Sequence, residues 1–507
     1  MDIYSELKQI YKEAKTLKER EKYTRHPEWK KKTFFFPIRH FNSDTPVIPS
    51  EWKNVPYIIA EKPLKINYGG GLSINPLLIG GGYFLWCKGK GVAIDPGHNF
   101  VYSLYRYHGI GINNIHVVII THDHMDHHAD LETILTLRRG CTDPLSVFTT
   151  PEVEKIYSLR NRSESSDCTK TGINGVTIIP EDGYEHNGII PGVTLNILPA
   201  MHWQRVRKLF HKKEKDGKDK VRIEPKDHLK KHFNAFGVAL SIESNPKGPK
   251  RILITGDSLF PVCSKNNEWH AYSDTHGAKL RSDIPHLDKV QQMGFTPACL
   301  KEEETRNELL RIINNRCKEM INVYENIGKV DIVCLHIGSI EKFNDRSDEK
   351  LYGKGCLMRD DKNNDYINGI LHDPEFCYGG FHLGFLGALR IMEILMKKGS
   401  FDPDKGLMVL TEFGEELLGN RRSICETFSH AAKFVDHQGN PKDKSYSTLP
   451  SEVTLRIDLS PDDNEKIGAV LCSYCGNYHD WKNIMALEGP GELITFAHKK
   501  EVEKGSP

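Results

Sequence analysis

Short apolar runs alternate with amphipathic segments through the middle of the chain. From about Lys65, runs such as YFLWC, GVAID and HVVIIT are separated by glycine-rich turns, which is typical of strands. The segment ADLETILTLRR repeats its apolar residues at helical spacing. Strands and helices continue to alternate to about residue 420, so the sequence predicts a layered α/β domain.

The pattern divides the chain into three parts. Residues 1–62 are predicted to form an N-terminal extension, helical over residues 5–22 and basic after that. Residues 63–430 form the central domain, which two polar inserts interrupt at about 204–233 and 258–329; the second insert ends in a predicted helix. Residues 431–507 are predicted to form a C-terminal extension with β-like segments.

Composition narrows the class of protein. The 507 residues are 38% hydrophobic and 27% charged with a net charge of +1, which describes a globular protein without a global electrostatic bias. No apolar run approaches the roughly 20 residues that span a bilayer, and the N-terminal segment has no hydrophobic signal core. Twelve cysteines without a secretory signal predict reduced thiols. We therefore expect a cytoplasmic protein without membrane contact, and the sequence leaves a homo-oligomer open.

The clearest chemistry lies in VVIITHDHMDHHAD, where an apolar strand runs into a cluster of imidazoles and carboxylates. His122 and His124 are separated by one residue, so on extended backbone both side chains project to the same side. Asp126 and His127 follow as the chain turns into a helix. One pair can bind one metal and the other pair a neighbouring metal. Imidazole and carboxylate ligands suit zinc, and also manganese or iron.

The H-x-H-x-D-H pattern of residues 122–127 resembles the hallmark of the metallo-β-lactamase superfamily. VAIDPG, with Asp95 and Gly97, is similar to the strand and turn that precede this hallmark in the family. The resemblance covers roughly residues 65 to 420 and implies a metallo-β-lactamase-like αββα sandwich. It also implies that His202, in LNILPAMHW, is the third ligand of the first metal, and that Asp257, in the GDS turn, bridges two metals.

Later motifs resemble the branch that contains the tRNA 3′-processing endonuclease RNase Z and related phosphodiesterases. VDIVCLHIGSIE places His336 at that branch's strand-end histidine, and GGFHLGFLGALR places His382 at a histidine before a helix. The expected final Thr-His-Phe-Ser reads Thr-Glu-Phe-Gly here, so Glu412 replaces the last histidine ligand. The second metal could be held by Glu412, by His382 or His336 instead, or be absent.

The constellation predicts a hydrolase that uses a metal-bound hydroxide and two divalent ions, with zinc favoured. Asp126 would orient the hydroxide, His382 would protonate the leaving group, and His336 would orient or polarise.

The segment 204–233 follows His202 with twelve Lys/Arg against five Asp/Glu, which favours a phosphodiester of a nucleotide or nucleic acid as the substrate. The same composition also fits a solvated loop. Hydrolysis of a carboxylic ester, thioester or lactone, or a non-catalytic metal-binding role, are the alternatives.

A second candidate site lies near the C-terminus, in VLCSYCGNYHDW. Cys472 and Cys475 form a C-x-x-C pair with His479 close behind, which is half of a zinc site. Only isolated residues such as Cys425, His430 or His437 could complete it. We interpret the pair as a turn with two free thiols.

Overall fold

The structure of the chain is a computed structural model. It describes residues 32–38, 81–138, 143, 145–164, 173–179, 185–200, 202, 235–243, 248–258, 260, 264–265, 268–269, 315–316, 318–337, 383, 385–413, 421–431, 447–452, 454–460, 469–473, 475, 477–488 and 494–503. The predicted helix at 5–22 and the basic insert at 204–233 lie outside the described residues.

Strands form where the apolar and β-branched runs occur, because such side chains pack well on a pleated surface. In chain order the described strands are β1 (Thr33–Pro37), β2 (Tyr83–Cys87), β3 (Lys90–Ile94), β4 (Ile115–Ile119), β5 (Leu145–Thr149), β6 (Ile173–Ile178), β7 (Glu185–Ile190), β8 (Val193–Pro199), β9 (Phe236–Ile242), β10 (Lys250–Ile254), β11 (Ser264–Lys265), β12 (Glu268–Trp269), β13 (Ile332–His336), β14 (Leu407–Thr411), β15 (Ser447–Pro450), β16 (Ile457–Asp458), β17 (Ala469–Leu471), β18 (Tyr478–Asp480), β19 (Ile484–Glu488) and β20 (Ile494–His498).

The described α-helices are α1 (Phe100–His108), α2 (Met125–His128), α3 (Leu131–Leu137), α4 (Pro151–Tyr157), α5 (Leu159–Glu164), α6 (Phe385–Lys397), α7 (Arg421–Ala431) and α8 (Lys499–Glu503). The helix predicted from ADLETILTLRR is confirmed as α3, which buries Leu131, Ile134 and Leu135. Residues 318–326 are helical at the end of the predicted second insert. Among the described residues, no helix is long and apolar enough to cross a membrane.

Two mixed sheets dominate the described architecture. The first has nine strands in the order β18-β17-β16-β1-β2-β3-β4-β5-β6, and the second has seven in the order β15-β14-β13-β10-β9-β8-β7. Strands β3 to β6 run parallel to one another, as do β10, β13, β14 and β15. Parallel strands present their carboxyl ends at one edge of a sheet, which is where ligands bind in α/β folds.

Both chain extensions contribute strands to the first sheet. Phe35 of β1 pairs with Leu85 of β2 on one side and with Ile457 of β16 on the other. The basic N-terminal stretch therefore contains a buried strand, and β16 to β18 come from the predicted C-terminal extension. The sheet is thus continuous across the predicted limits at residues 62 and 431, and these limits stay a prediction.

The core lies between the sheets, with a second apolar layer outside the first sheet. In β2, Tyr83 and Leu85 join the cluster that both sheets share, whereas Phe84 and Trp86 pack in the outer cluster with α1, α3 and α4. Successive strand residues point to opposite faces, so a strand buried on both faces must be apolar throughout. This explains why YFLWC lacks a polar alternation.

Candidate metal centre

The histidine-rich loop leaves the carboxyl end of β4 and enters α2. Thr121 and His122 are fully buried directly after the strand, and His127 is buried within α2. The ring centroids of His122 and His127 are 3.9 Å apart, and those of His122 and His124 are 4.6 Å apart. The structure therefore brings the predicted loop ligands together in one cluster.

Four further residues reach this cluster from the second sheet, each at or just after the carboxyl end of a strand. Strand β8 is antiparallel to β9, which is antiparallel to β10, so β8 and β10 run in the same direction. Their ends, with those of β13 and β14, lie at one edge of the sheet. The residues placed there are His202 after β8, Asp257 after β10, His336 at the end of β13 and Glu412 after β14.

The first group of donors contains three histidines and one carboxylate. Ligand atoms of His122, His124, His202 and Asp257 all lie within 4.8 Å of one another. His202 Nε2 is 3.3 Å from His124 Nδ1, and His122 Nε2 is 3.4 Å from Asp257 Oδ2. Three imidazoles and a carboxylate at this spacing form a donor set that zinc accepts.

The second group of donors surrounds Glu412. Asp126, His127 and Glu412 lie within 4.8 Å of one another, and so do Asp257, His336 and Glu412. His127 Nε2 is 3.0 Å from Asp257 Oδ2 and 3.2 Å from Glu412 Oε1. Asp257 therefore touches both groups, and the structure places Glu412 where the sequence predicted a substitute ligand. The individual ligand roles stay predictions.

The chemistry of these residues fits divalent metal ions. Asp257 and Glu412 are 1% and 2% exposed, and burying two carboxylates is costly without a cation. Burial lowers the pKa of His122 well below its ordinary value, and His127 adds to the effect, so His122 does not supply that charge. His336 contacts both carboxylates and has a raised pKa, but it would supply only one positive charge for two negative ones. The Nε2 of His122 has no hydrogen bond among the described residues and faces the Asp257 carboxylate. Metal ions would satisfy both the carboxylates and this nitrogen.

Asp95 orients two of the histidines and was not predicted as a site residue. Its Oδ1 accepts a hydrogen bond from the Thr121 amide at 2.7 Å, and its Oδ2 accepts one from Thr121 Oγ1 at 2.8 Å. Thr121 Oγ1 is also 3.0 Å from His122 Nδ1, and Asp95 Oδ2 is 3.0 Å from His127 Nδ1. Protons on both Nδ1 atoms would suit these contacts and would leave both Nε2 lone pairs facing the centre. The only sequence signal was the VAIDPG turn.

His336 lies behind the carboxylates rather than at the open face. Its Nδ1 is 2.8 Å from Asp257 Oδ1 and 2.6 Å from Glu412 Oε2, and its Nε2 is 2.5 Å from the Tyr83 hydroxyl. Tyr83 also lies 2.6 Å from Thr411 Oγ1. Burial opposes protonation of His336, but the negative charge of Glu412 and the hydrogen bonds to both carboxylates outweigh it and raise the pKa of His336. This geometry favours a positioning role for His336.

His382, the predicted proton donor, lies outside the described residues.

His128, the last histidine of the loop, turns away from the centre. Its Nε2 is 3.1 Å from Asp123 Oδ1 and its Nδ1 is 2.9 Å from the Tyr157 hydroxyl. These contacts hold the loop against α4 and give His128 a role that needs no metal.

Residues 91–219 match the sequence model of the Beta-lactamase superfamily domain. The sequence matches none of the curated proteins. Similar solved structures include the metallo-beta-lactamase fold protein YhfI from Bacillus subtilis, which is 11% identical over 84% of this chain and 99% of its own, with a TM-score of 0.38. Human tRNase Z, short form, is 13% identical over 66% and 86%, with a TM-score of 0.31. Yeast PDE1 is 9% identical over 83% and 98%, with a TM-score of 0.38. The family match over residues 91–219 confirms the predicted resemblance to this superfamily, and the two sheets agree with the predicted sandwich fold.

Proposed function

We propose that this chain, whose residues 91–219 belong to the beta-lactamase superfamily, is a metal-dependent hydrolase that cleaves phosphodiesters. The observation that carries the hydrolase assignment is the position of Asp257. This one buried carboxylate reaches His122 of the first donor group and His127 of the second. A carboxylate shared between two donor groups is suited to a pair of neighbouring metal ions.

His122, His124, His202 and Asp257 would hold one ion, and Asp126, His127, Asp257 and Glu412 would hold the other. Bound there, divalent ions supply Lewis acidity and lower the pKa of a water molecule. The protein's own contribution is to fix the ligands. Asp95 and Thr121 hold the rings of His122 and His127, and the Tyr83–His336 pair holds the two buried carboxylates.

The substrate would approach from the side of the loop that faces solvent. The Asp126 side chain is 28% exposed, and Met125 beside it is 41% exposed, whereas Asp257 and Glu412 are buried. Asp126 is therefore the carboxylate of the centre best placed to orient an attacking water and accept its proton. His382 stays our predicted proton donor to the leaving group.

A phosphodiester is favoured by the charge of the segment that follows His202. Residues 204–233 carry twelve Lys/Arg and five Asp/Glu, an excess of seven positive charges. Positive charge beside a metal centre raises the local concentration of phosphate-bearing substrates. A nucleotide and a nucleic-acid strand both satisfy this chemistry.

Hydrolysis of model substrates tests the proposal. Full-length protein, reconstituted separately with zinc, manganese and iron, is assayed against bis(p-nitrophenyl) phosphate, p-nitrophenyl acetate and an acyl thioester. We expect the highest kcat/KM on the phosphodiester and its loss in Asp257→Asn. The control is Asp331→Asn, which also changes a carboxylate that is only 4% exposed, but one that accepts a hydrogen bond from the Arg251 amide outside the centre.

Each other outcome contradicts a specific part of the proposal. Preference for the acetate or the thioester would assign the chain to carbon esters. Absence of turnover on all three substrates in a protein with its full metal content would favour a non-catalytic metal-binding role. Equal activity of Asp257→Asn and Asp331→Asn would contradict the shared-carboxylate centre.

A further inference from the structure

A second cluster of metal-ligating side chains lies at the edge of the first sheet that β17 and β18 form. None of the residues of the proposed hydrolase centre comes from this part of the chain. Ligand atoms of Cys472, Cys475 and His479 lie within 4.8 Å of one another. Cys475 Sγ is 3.1 Å from His479 Nε2. We propose that these three residues, together with His498, bind a structural zinc ion.

The local fold explains why these residues meet. Strands β17 and β18 form an antiparallel pair in which Val470 opposes His479. Cys472 follows β17 directly, and its amide donates a hydrogen bond to the Asn477 carbonyl at 2.9 Å, which closes the connection between the strands. The C-x-x-C pair thus sits at the tip of a hairpin whose returning strand supplies the histidine. A C-x-x-C pair joined by a nearby histidine is a common partial zinc site.

His498 is the fourth residue at this position. It ends β20, and its amide lies 3.4 Å from Cys472 Sγ as a hydrogen-bond donor. Its ring stacks on that of His479 with centroids 4.1 Å apart. The Ser473 amide also donates to the Phe496 carbonyl at 2.7 Å, which fastens the hairpin to β20. In the proposed site, the His498 side chain would rotate to bring its imidazole to the remaining tetrahedral position.

The interatomic distances fit a shared ion better than two unrelated thiols. Zinc–sulfur and zinc–nitrogen bonds of about 2.3 and 2.0 Å place two tetrahedral ligand atoms about 3.5 Å apart. The contact between Cys475 and His479 is a few tenths of an ångström shorter than that, so small movements admit the ion. Neither cysteine forms a disulfide. The amide of His498 would stabilise a thiolate at Cys472, as peptide N–H groups do around metal-bound sulfur.

The ion would reinforce a weak edge of the sheet. Strands β17 and β18 have three residues each and form the last two strands of the nine-stranded sheet. The β19–β20 hairpin is a separate two-stranded sheet. Short strands at an edge have few backbone hydrogen bonds, and a metal ion is an efficient cross-link for such elements. A zinc ion bound by the β17–β18 connection and by His498 of β20 would join the β19–β20 hairpin to the nine-stranded sheet.

Cobalt substitution in the full-length protein tests this site independently of hydrolysis. Cobalt(II) bound to thiolate shows an ultraviolet charge-transfer band, whereas the histidine–carboxylate centre contains no cysteine. We expect the band in wild-type protein and in Cys425→Ser, a control at a buried cysteine of α7, and its loss in Cys475→Ser. Cys475 is exposed, so its replacement spares the core. Zinc content should fall by one equivalent in Cys475→Ser only.

His498→Gln tests the fourth ligand. It should keep the cobalt band and lower zinc affinity at least tenfold in a competition titration with a chromophoric chelator. An absent band in wild type, or a band unchanged by Cys475→Ser, would overturn the site. Unchanged affinity in His498→Gln would overturn the assignment of His498. Neither the cobalt band nor the zinc affinity depends on phosphodiesterase activity. A negative result here would therefore not contradict the proposed function, and a lack of hydrolysis would not contradict this zinc site.

Discussion

Asp95→Asn is expected to weaken metal binding although Asp95 is not among the predicted ligands. The native carboxylate accepts from the Thr121 amide on Oδ1, and on Oδ2 it meets Thr121 Oγ1 and His127 Nδ1. Asparagine keeps the shape but replaces one accepting oxygen with a donating amide. If that amide took the Oδ1 position, it would oppose the Thr121 N–H. We therefore expect it to take the Oδ2 position.

An amide at the Oδ2 position changes the tautomers of both histidines. It would donate to His127 Nδ1, which must then lose its proton and leave Nε2 protonated. It would also donate to Thr121 Oγ1, whose hydroxyl would turn to donate to His122 Nδ1. Both Nε2 atoms, which face Asp257 in the native protein, would then carry protons instead of free lone pairs. A protonated nitrogen cannot bind a metal.

The size of the effect follows from the number of rings affected. Loss of one outer contact to a metal-binding histidine costs about 10–100-fold in metal affinity. Each tenfold change corresponds to about 1.4 kcal/mol. Two histidines depend on Asp95, so we expect metal affinity to fall by at least about 100-fold, with kcat/KM at limiting metal falling in parallel.

Competition with a chromophoric chelator measures the affinity, and urea denaturation measures the free energy of unfolding. Asp331→Asn is the control, because it makes the same change at another buried carboxylate that accepts a backbone N–H. Both variants should lose about 1–3 kcal/mol of stability from imperfect buried hydrogen bonding. Metal affinity within twofold of wild type in a folded Asp95→Asn protein would refute the tautomer argument.

Three further outcomes are expected. His122→Ala should bind less metal after dialysis than wild type, because the centre loses its ions, while His116→Ala, on the preceding strand, keeps the wild-type content; elemental analysis decides, and equal loss in both would contradict the centre. Glu412→His should shift the pH–rate profile to lower pH, because a neutral ligand leaves more positive charge to acidify bound water; an unchanged profile would make Glu412 a bystander. Burial, helped by Lys90 and Arg138, lowers the pKa of His116 from 6.5 to about 4. The unfolded chain therefore takes up this proton first, and the stability that neutral His116 provides is present above pH 6.5 and lost as the pH falls toward 4. Urea denaturation measures the free energy of unfolding of wild type and His116→Gln at pH 6.5 and at pH 4. Between these two pH values, His116→Gln should lose up to about 3 kcal/mol less than wild type. Equal losses in the two proteins would contradict this.

The sandwich fold and the histidine loop could be predicted because their signals are local. The run HVVII is predicted to be a buried strand from its composition alone. His122, His124, Asp126 and His127 follow it within eight residues. Metal ligation by such a loop needs little information from the rest of the chain. His202 and Asp257 were predicted only through the family resemblance, since single polar residues after strands carry no specific pattern.

The orienting contacts could not be predicted because they join distant segments. Tyr83 and His336 are 253 residues apart, and their contact exists only when β2 and β13 face each other between the sheets. Strand β1 was also missed, because a run of three phenylalanines in a basic stretch resembles an exposed extension until β2 and β16 pair with it. Residue type also gives a wrong expectation for the backbone conformation at the metal centre. Asp95 and Glu412 adopt φ of 48° and 51°, a conformation that costs energy for residues with a Cβ and that occurs at functional sites.

Gly97→Ala should separate the second donor group from the first. A Cβ at Gly97 would collide with the Asp126 carbonyl oxygen and would lie 2.8 Å from the Asp126 carbonyl carbon and 2.9 Å from the Gly81 oxygen. All these atoms are backbone, so no side chain can rotate away, and the loop that carries Asp126 and His127 must move. Overpacking of this kind costs about 1–3 kcal/mol. We expect the metal bound at this centre to fall from two ions to one. His122 and His202 lie within three residues of the ends of β4 and β8, whereas Asp126 and His127 lie further along the loop that must move. The control is Gly175→Ala, where a Cβ meets nothing within 4 Å. Two ions retained at the centre and a melting temperature equal to that of the control would show that the turn does not position Asp126.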